Sequence, residues 1–212
     1  MALKQNTTVE LTPLRIERFD VTLVGDQPLI VHAWSQKAIG EMLAKQTKKA
    51  TKGKSAKDPQ ADFEDSRYKM ADGRDGFPSV AFRNAAIAAC TSVKGAITKI
   101  AASQTLRVNG ELTTVPGAYD GCFSRHDLLA IEGAAPTMRE DMVRVGMGTA
   151  DLRYRAEYWP WFITAKVSFQ PNVLSLEQII NLFNIAGFAV GVGEWRPSKG
   201  GQYGTFHVAT EA

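Results

Sequence analysis

Cysteine is scarce in this chain. Of 212 residues only Cys90 and Cys122 are cysteines, with no CxxC pair and no His/Cys ligand spacing. A disulfide scaffold or a structural zinc site is therefore not expected, and free thiols fit a reducing cytoplasm. Histidine is nearly as sparse. His32, His126 and His207 stand far apart, so neither a metal site nor a cofactor is expected. No apolar run approaches the roughly 18 residues that a membrane-spanning helix needs. The opening stretch "MALKQNTTVELTPLR" has no basic region leading into an apolar one, so no secretory signal is expected. A Walker A pattern and a repeat of fixed period are absent as well.

The bulk composition is ordinary. Apolar content of 44% and charged content of 22% suit one soluble globular domain with a real core. A net charge of +3 predicts no partner by itself, but its distribution is uneven. Residues 45–57, "KQTKKATKGKSAK", carry six lysines and no acid. Such a block is either a solvated segment or an electrostatic arm for phosphate backbones. Lys48, Lys49, Lys52 and Lys54 are its candidate contacts.

Apolar periodicity orders the rest. "RFDVTLVG" alternates as a half-buried strand, and "DQPLIVHAW" continues it after a turn. "SQKAIGEMLAKQ" has helical spacing with Ser35 as N-cap. In "FPSVAFRNAAIAACTSV" Ser79 can cap a second, alanine-rich helix. "QTLRVNGELTTV" reads as a hairpin turning at Asn109–Gly110. "DLRYRAEYWPWFITAKVSF" reads as one long strand, with Phe162, Thr164 and Lys166 opposite Ile163, Ala165 and Val167. "SLEQIINLFNIAG" has a Ser175–Gln178 capping box and a closing Gly187, and "QYGTFHVAT" is a last strand. The order strand, helix, strands, helix, strand predicts an α+β, ferredoxin-like β-α-β-β-α-β core in a single domain. Residues 36–76 and 104–147 are its long insertions.

Two stretches carry candidate chemistry. "VRVGMGTADLRYRAEYWPW" interleaves Arg144, Arg153 and Arg155 with aromatics, a composition suited to unpaired bases and their backbone. The alternative is a strand with aromatics in the core and arginines in water. "GFAVGVGEWRPSKGGQYGTFHV" is no dinucleotide fingerprint, because it follows a helix and precedes a strand. It is either a C-cap and a loop, or a loop whose glycines admit a ligand while Trp195, Arg196 and Lys199 contact it. Glu140 and Asp141 read as local ion-pair partners for Arg139 and Arg144.

Three stretches resemble the repeat-associated mysterious protein (RAMP) superfamily, the RNA-binding proteins of CRISPR systems. "VTLVGDQPLIVHA" is similar to its first strand. "FPSVAFRNAAIAA" resembles its strand-to-helix motif, here with Pro78, Ser79 and Arg83. "GVGEWRPSKGGQYGTFHV" resembles its glycine-rich loop. Within the superfamily the plan is most similar to the CRISPR backbone subunit, which polymerises along guide RNA. "REDMVRVGMGTADLRYR" and "GFAVGVGEWRP" look most like uncharacterised proteins of temperate phages and prophages. The resemblance implies a palm of sheet and first helix, a hairpin thumb from residues 104–147, and nucleic-acid contacts from Arg83, Trp195, Arg196 and Lys199. The expected function is non-catalytic binding of single-stranded RNA or DNA by a head-to-tail homo-oligomer in a bacterial cytoplasm, phage-encoded or alongside other effector-complex subunits. The alternatives are an RNA endonuclease using His32 and a phage assembly protein.

Overall fold

The computed structural model describes residues 13–47 and 57–210, apart from 94, 96, 118, 145–147 and 149. Apolar alternation makes β1 (Glu17–Gly25), with Val21 and Leu23 in the core, and β2 (Leu29–Val31) follows a short turn. Helix α1 (Gln36–Gln46) opens on Ser35, whose Oγ accepts from the Ala38 amide at 3.1 Å. Helix α2 (Pro59–Asp65) opens on Asp58 with proline in its first turn. The short strands β3 (Tyr68–Lys69) and β4 (Asp75–Pro78) lead into α3 (Ser79–Ala89) and α4 (Lys99–Thr105). Strands β5 (Arg107–Asn109), β6 (Glu111–Pro116), β7 (Phe123–Ala130) and β8 (Glu132–Gly133) come next. The chain closes with β9 (Thr137–Arg144), β10 (Ala150–Tyr158), β11 (Trp161–Phe169), α5 (Leu176–Ala189) and β12 (Phe206–Val208).

The main sheet runs β12-β1-β11-β5, every neighbour antiparallel, with β8 added beside β11. Numbered in chain order, its four main strands lie fourth, first, third, second. Helix α3 falls between the first and second, and α5 between the third and fourth. Leu23 sits opposite Ile163, and Val21 opposite Ala165. Those side chains meet Phe82, Ala86, Leu182 and Phe183 in one buried cluster. Each large side chain fully buried there contributes about 1.5–3 kcal/mol. Ser175 and Gln178 form the expected reciprocal cap on α5. The mixed composition with antiparallel sheets agrees with the α+β expectation.

Five local expectations are not met, most of them because tertiary pairing overrides them. Asn109–Gly110 makes no hairpin: β5 pairs with β11, β6 pairs with β7, and the Gly110 amide donates to Asp127 Oδ1 at 2.7 Å where the chain changes sheet. Residues 151–169 form two strands in different sheets, because Pro160 cannot donate to a ladder. Strand β2 does not extend β1 but pairs with β10, giving a second sheet β2-β10-β9. Ser79 is the first residue of α3 and caps nothing with its side chain. Gly187 lies inside α5 instead of closing it. A Cβ there would stand 1.7 Å from the Phe206 carbonyl oxygen, so glycine lets the helix backbone press on β12.

The third sheet, β3-β4-β7-β6, is anchored by a nearly buried ion pair. Arg67 grips Asp75 with Nε and Nη2 at 3.1 and 2.7 Å, and Lys69 Nζ adds a contact at 3.0 Å. Burial pushes the Asp75 carboxyl up, but hydrogen bonds and charge from Arg67 and Lys69 outweigh it and hold it below the usual range. A depressed native value stabilises the fold above the unfolded carboxyl's titration and is lost as pH falls through the native one. Asp75→Asn should therefore cost about 3 kcal/mol at neutral pH. It should also flatten the acid limb of urea stability measured from pH 5 downward. An acid limb as steep as the wild type's would contradict this.

Candidate nucleic-acid interface

The glycine-rich segment between α5 and β12 is a fixed loop. Val192 donates to Gly204 O at 2.9 Å, Tyr203 to Trp195 O at 3.0 Å and Gly204 to Pro28 O at 2.8 Å. Glu194 donates to Ile30 O at 3.0 Å, so the loop is stitched along the free edge of β2. Its glycines serve the protein's own packing more than a ligand's approach. A Cβ on Gly201 would lie 1.7 Å from the Trp195 carbonyl oxygen. Trp195 itself has φ +53°, a costly region for a residue with a side chain, and the residue is 42% exposed. A single 3-10 turn, Pro197–Lys199, carries Lys199 into solvent beside it.

The β9–β10 hairpin is docked onto this loop by Arg139. Arg139 donates to Asp141 Oδ1 at 2.9 Å and Glu157 Oε2 at 2.6 Å. It also donates to the Tyr203 hydroxyl at 3.4 Å, and its guanidinium lies 4.6 Å from the centre of that ring. Cross-strand pairing sets Arg139 opposite Arg155 and Asp141 opposite Arg153. Period-two alternation therefore puts these four and Glu157 on one face of the hairpin. Arg155 is buried, and its Nη1 reaches Asp141 Oδ2 at 3.3 Å. Two arginines side by side are thus neutralised by two carboxylates.

His32 follows β2 directly. Strand β2 is fixed by β10 and by Ser66, whose carbonyl accepts from Ala33 N at 2.8 Å and whose hydroxyl accepts from Ala156 N at 2.9 Å. His32 Nδ1 stands 3.7 Å from Glu194 Oε1. That histidine holds the Glu194 carboxyl below its usual range, against the opposing effect of burial and with help from Arg155 and Arg196. Three clefts meet at Glu194. One of about 490 Å³ runs between α3 and the loop, past Val80, Ala81, Asn84 and Arg196. A second, of about 470 Å³, lies under Trp34 and Arg153. A third, also of about 470 Å³, is lined by Val143, Arg153, Arg155, Trp195, Arg196 and Lys199 besides Glu194.

The structure thus brings together five of the expected contacts: Arg153, Arg155, Trp195, Arg196 and Lys199 line one cleft. Arg155, however, faces the interior instead of the solvent expected for a strand arginine, because the glycine-rich loop covers its face. Arg83 is occupied elsewhere. It donates to Leu106 O at 2.9 Å and to Ser103 O, closing the C-terminal end of α4, and burial followed by nearby Arg107 lowers its pKa. Arg144 is exposed at the end of β9 and has no ion pair among the described residues. Glu140 likewise makes no ion pair there, contrary to expectation, whereas Asp141 pairs with Arg139 and Arg155. Lys48, Lys49, Lys52 and Lys54 lie outside the described residues. Glu194 and Tyr203 were not expected at the site, and Arg139 was expected only as a local ion-pair partner. Only the clustering of aromatic and charged residues around the glycines hinted at them.

Among solved structures, the chain is similar to the crystal structure of Cmr6 from Pyrococcus furiosus, with TM-score 0.40 and 11% identity, over 93% of this chain and 100% of that one. A likeness at that level carries no argument about function. No protein-family model and no curated protein matches the sequence. Among the described residues, no helix is long and apolar enough to cross a membrane, and no group of His, Cys, Asp and Glu could hold a metal ion.

Proposed function

We propose that the protein binds single-stranded nucleic acid, RNA in the first place, without catalysis, and coats the strand head to tail. The reading takes the main sheet and its two helices as a ferredoxin-like, RAMP-type core, on the strand order fourth-first-third-second. The observation that carries it is the cleft where Trp195 stands beside Arg153, Arg196 and Lys199. An exposed indole gives unpaired bases a stacking face, and the cations neutralise the backbone without reading sequence. The thumb is drawn from residues 104–147, with Arg144 at the end of β9, and the lysine block of residues 45–57 adds an arm. Repetition of one heterologous contact without closure makes a filament. A CRISPR effector complex and a phage-encoded role both accommodate such a subunit.

A length series tests this. Labelled single strands of rising length, mixed with excess protein at low salt, should carry bound copies in proportion to length by analytical ultracentrifugation. One copy on every length, or self-assembly that ignores the strand, would remove the coating model. The His32–Glu194 pair at the meeting of the clefts favours endonuclease action as a second reading, since paired groups there could move a proton. Strands recovered intact go with coating. Shortened strands, lost with His32→Ala, go with cleavage.

A further inference from the structure

Arg155 is the member of the basic cleft whose donors are unaccounted for. A guanidinium carries five N–H groups in a planar fork. Here Nη1 donates to Asp141, and no other hydrogen bond from the side chain is made among the described residues. Nε is shut off from water with no acceptor among the described residues, on a side chain only 2% exposed. The partly buried arginines elsewhere in the fold place every nitrogen on an acceptor: Arg67 holds Asp75 and Glu64, and Arg139 holds Asp141, Glu157 and Tyr203. Unpaired buried donors are rare and costly, so this one calls for a partner.

The charges above it are mostly positive. Asp141 and Glu157 are matched by Arg139 and Arg155. Arg196 spends its donors on neutral acceptors, Gly193 O at 2.7 Å and Ser198 Oγ at 3.1 Å. Lys199 has no ion pair among the described residues, and Arg153 only a distant one to Asp151 at 3.6 Å. The acid in the lining is Glu194, whose Oε1 stands 3.7 Å from His32 Nδ1 and whose charge is shared among His32, Arg155 and Arg196.

We propose that this cleft holds one phosphate group, seated against the guanidinium edge of Arg155 that Asp141 leaves free, with Arg153, Arg196 and Lys199 around the rim. Planar, fixed donors with outlying cations suit a phosphate better than a carboxylate, because its two or three non-bridging oxygens are arranged tetrahedrally and find separate partners. The group is an internal phosphodiester or a strand's terminal phosphate. Only that choice rests on the strand-binding reading, and the anion site stands without it.

The test uses inorganic phosphate and the full chain. At matched ionic strength, 10 mM phosphate should raise Tm by about 4 °C over chloride. Arg155→Lys keeps the charge but loses the fork, so the shift should vanish. Lys199→Met, at an exposed position, should halve it. If Arg155→Lys does not fold, the Arg155 Nε–H resonance of the wild type must move on phosphate titration. No shift in the wild type, an undiminished shift in a folded Arg155→Lys, or an unmoved Nε–H resonance would overturn the site. For the source, about tenfold tighter binding of a 5′-phosphorylated strand than its 5′-hydroxyl twin assigns the terminal group. Equal binding assigns an internal one. Strand binding without a phosphate shift sinks this site alone, and a phosphate shift without strand binding sinks the strand reading alone.

Discussion

Arg196→Glu combined with Lys199→Glu should abolish single-strand binding at physiological salt. Both side chains line the basic cleft, and neither is matched by a carboxylate other than Glu194, which His32 engages. Two charge-assisted contacts at about 1.7 kcal/mol each correspond to roughly 300-fold in affinity, before any repulsion is counted. The slope of log affinity against log salt should drop by about 1.4, since each phosphate contact on a single strand accounts for about 0.7. Arg196 also ties the loop through Gly193 O, so part of the loss could come from the fold. Lys199→Glu separates the two causes. That side chain is exposed and bonds to nothing in the loop, so it should cost roughly 17-fold in affinity with an unchanged Tm. Fluorescence anisotropy with thermal melts reads both quantities. Binding that survives the double reversal moves the interface elsewhere.

Gly201→Ala should be among the most destabilising alanine substitutions in the chain, although it adds one methyl. The added carbon would meet the Trp195 backbone, 1.7 Å from its oxygen and 2.3 Å from its carbonyl carbon, and main chain cannot rotate away as a side chain can. Relieving the overlap means opening the loop, which breaks the Tyr203–Trp195 and Gly201–Arg196 hydrogen bonds and frees the Tyr203 ring from Arg139. About 3 kcal/mol is expected, a fall in Tm of roughly 6–12 °C for a chain of this size. Gly200 is the internal control. Its φ is +80° but nothing lies within 4 Å of an added Cβ, so Gly200→Ala should cost only about 1 kcal/mol. Equal costs at the two positions would mean that the loop is slack. Gly201→Ala should also weaken strand binding, because Trp195 and Arg196 share the backbone that must move.

Local signals were legible from the sequence and long-range ones were not. The Ser175–Gln178 cap, the Ser35 cap and the alternation along β11 each depend on residues a few positions apart, and each is present. Apart from the Ser79 cap, what failed depended on partners far along the chain. Asn109–Gly110 has the composition of a hairpin turn, yet β11 captures one side and β7 the other. Arg155 alternates as a surface strand residue should, but the loop some 40 positions later covers that face, burying it beside Asp141. Glu194 and Tyr203 acquired meaning only when β2 and the hairpin came to lie against the loop. The candidate residues within the loop were visible in advance as exposed types near glycines. Their common cleft was not, because residues 153, 155 and 195–199 are joined by pairing rather than by spacing.

The central claim is that the cleft binds unpaired strands through backbone charge and stacking. Its most direct test is an anisotropy isotherm of the stripped protein on a labelled single strand and on the same sequence as a duplex, at 50 and 300 mM salt. The expected result is sub-micromolar binding of the single strand at low salt, at least tenfold weaker for the duplex and falling steeply at high salt, an order-of-magnitude expectation. No change in anisotropy for either strand at 50 mM salt with protein in large excess would contradict it.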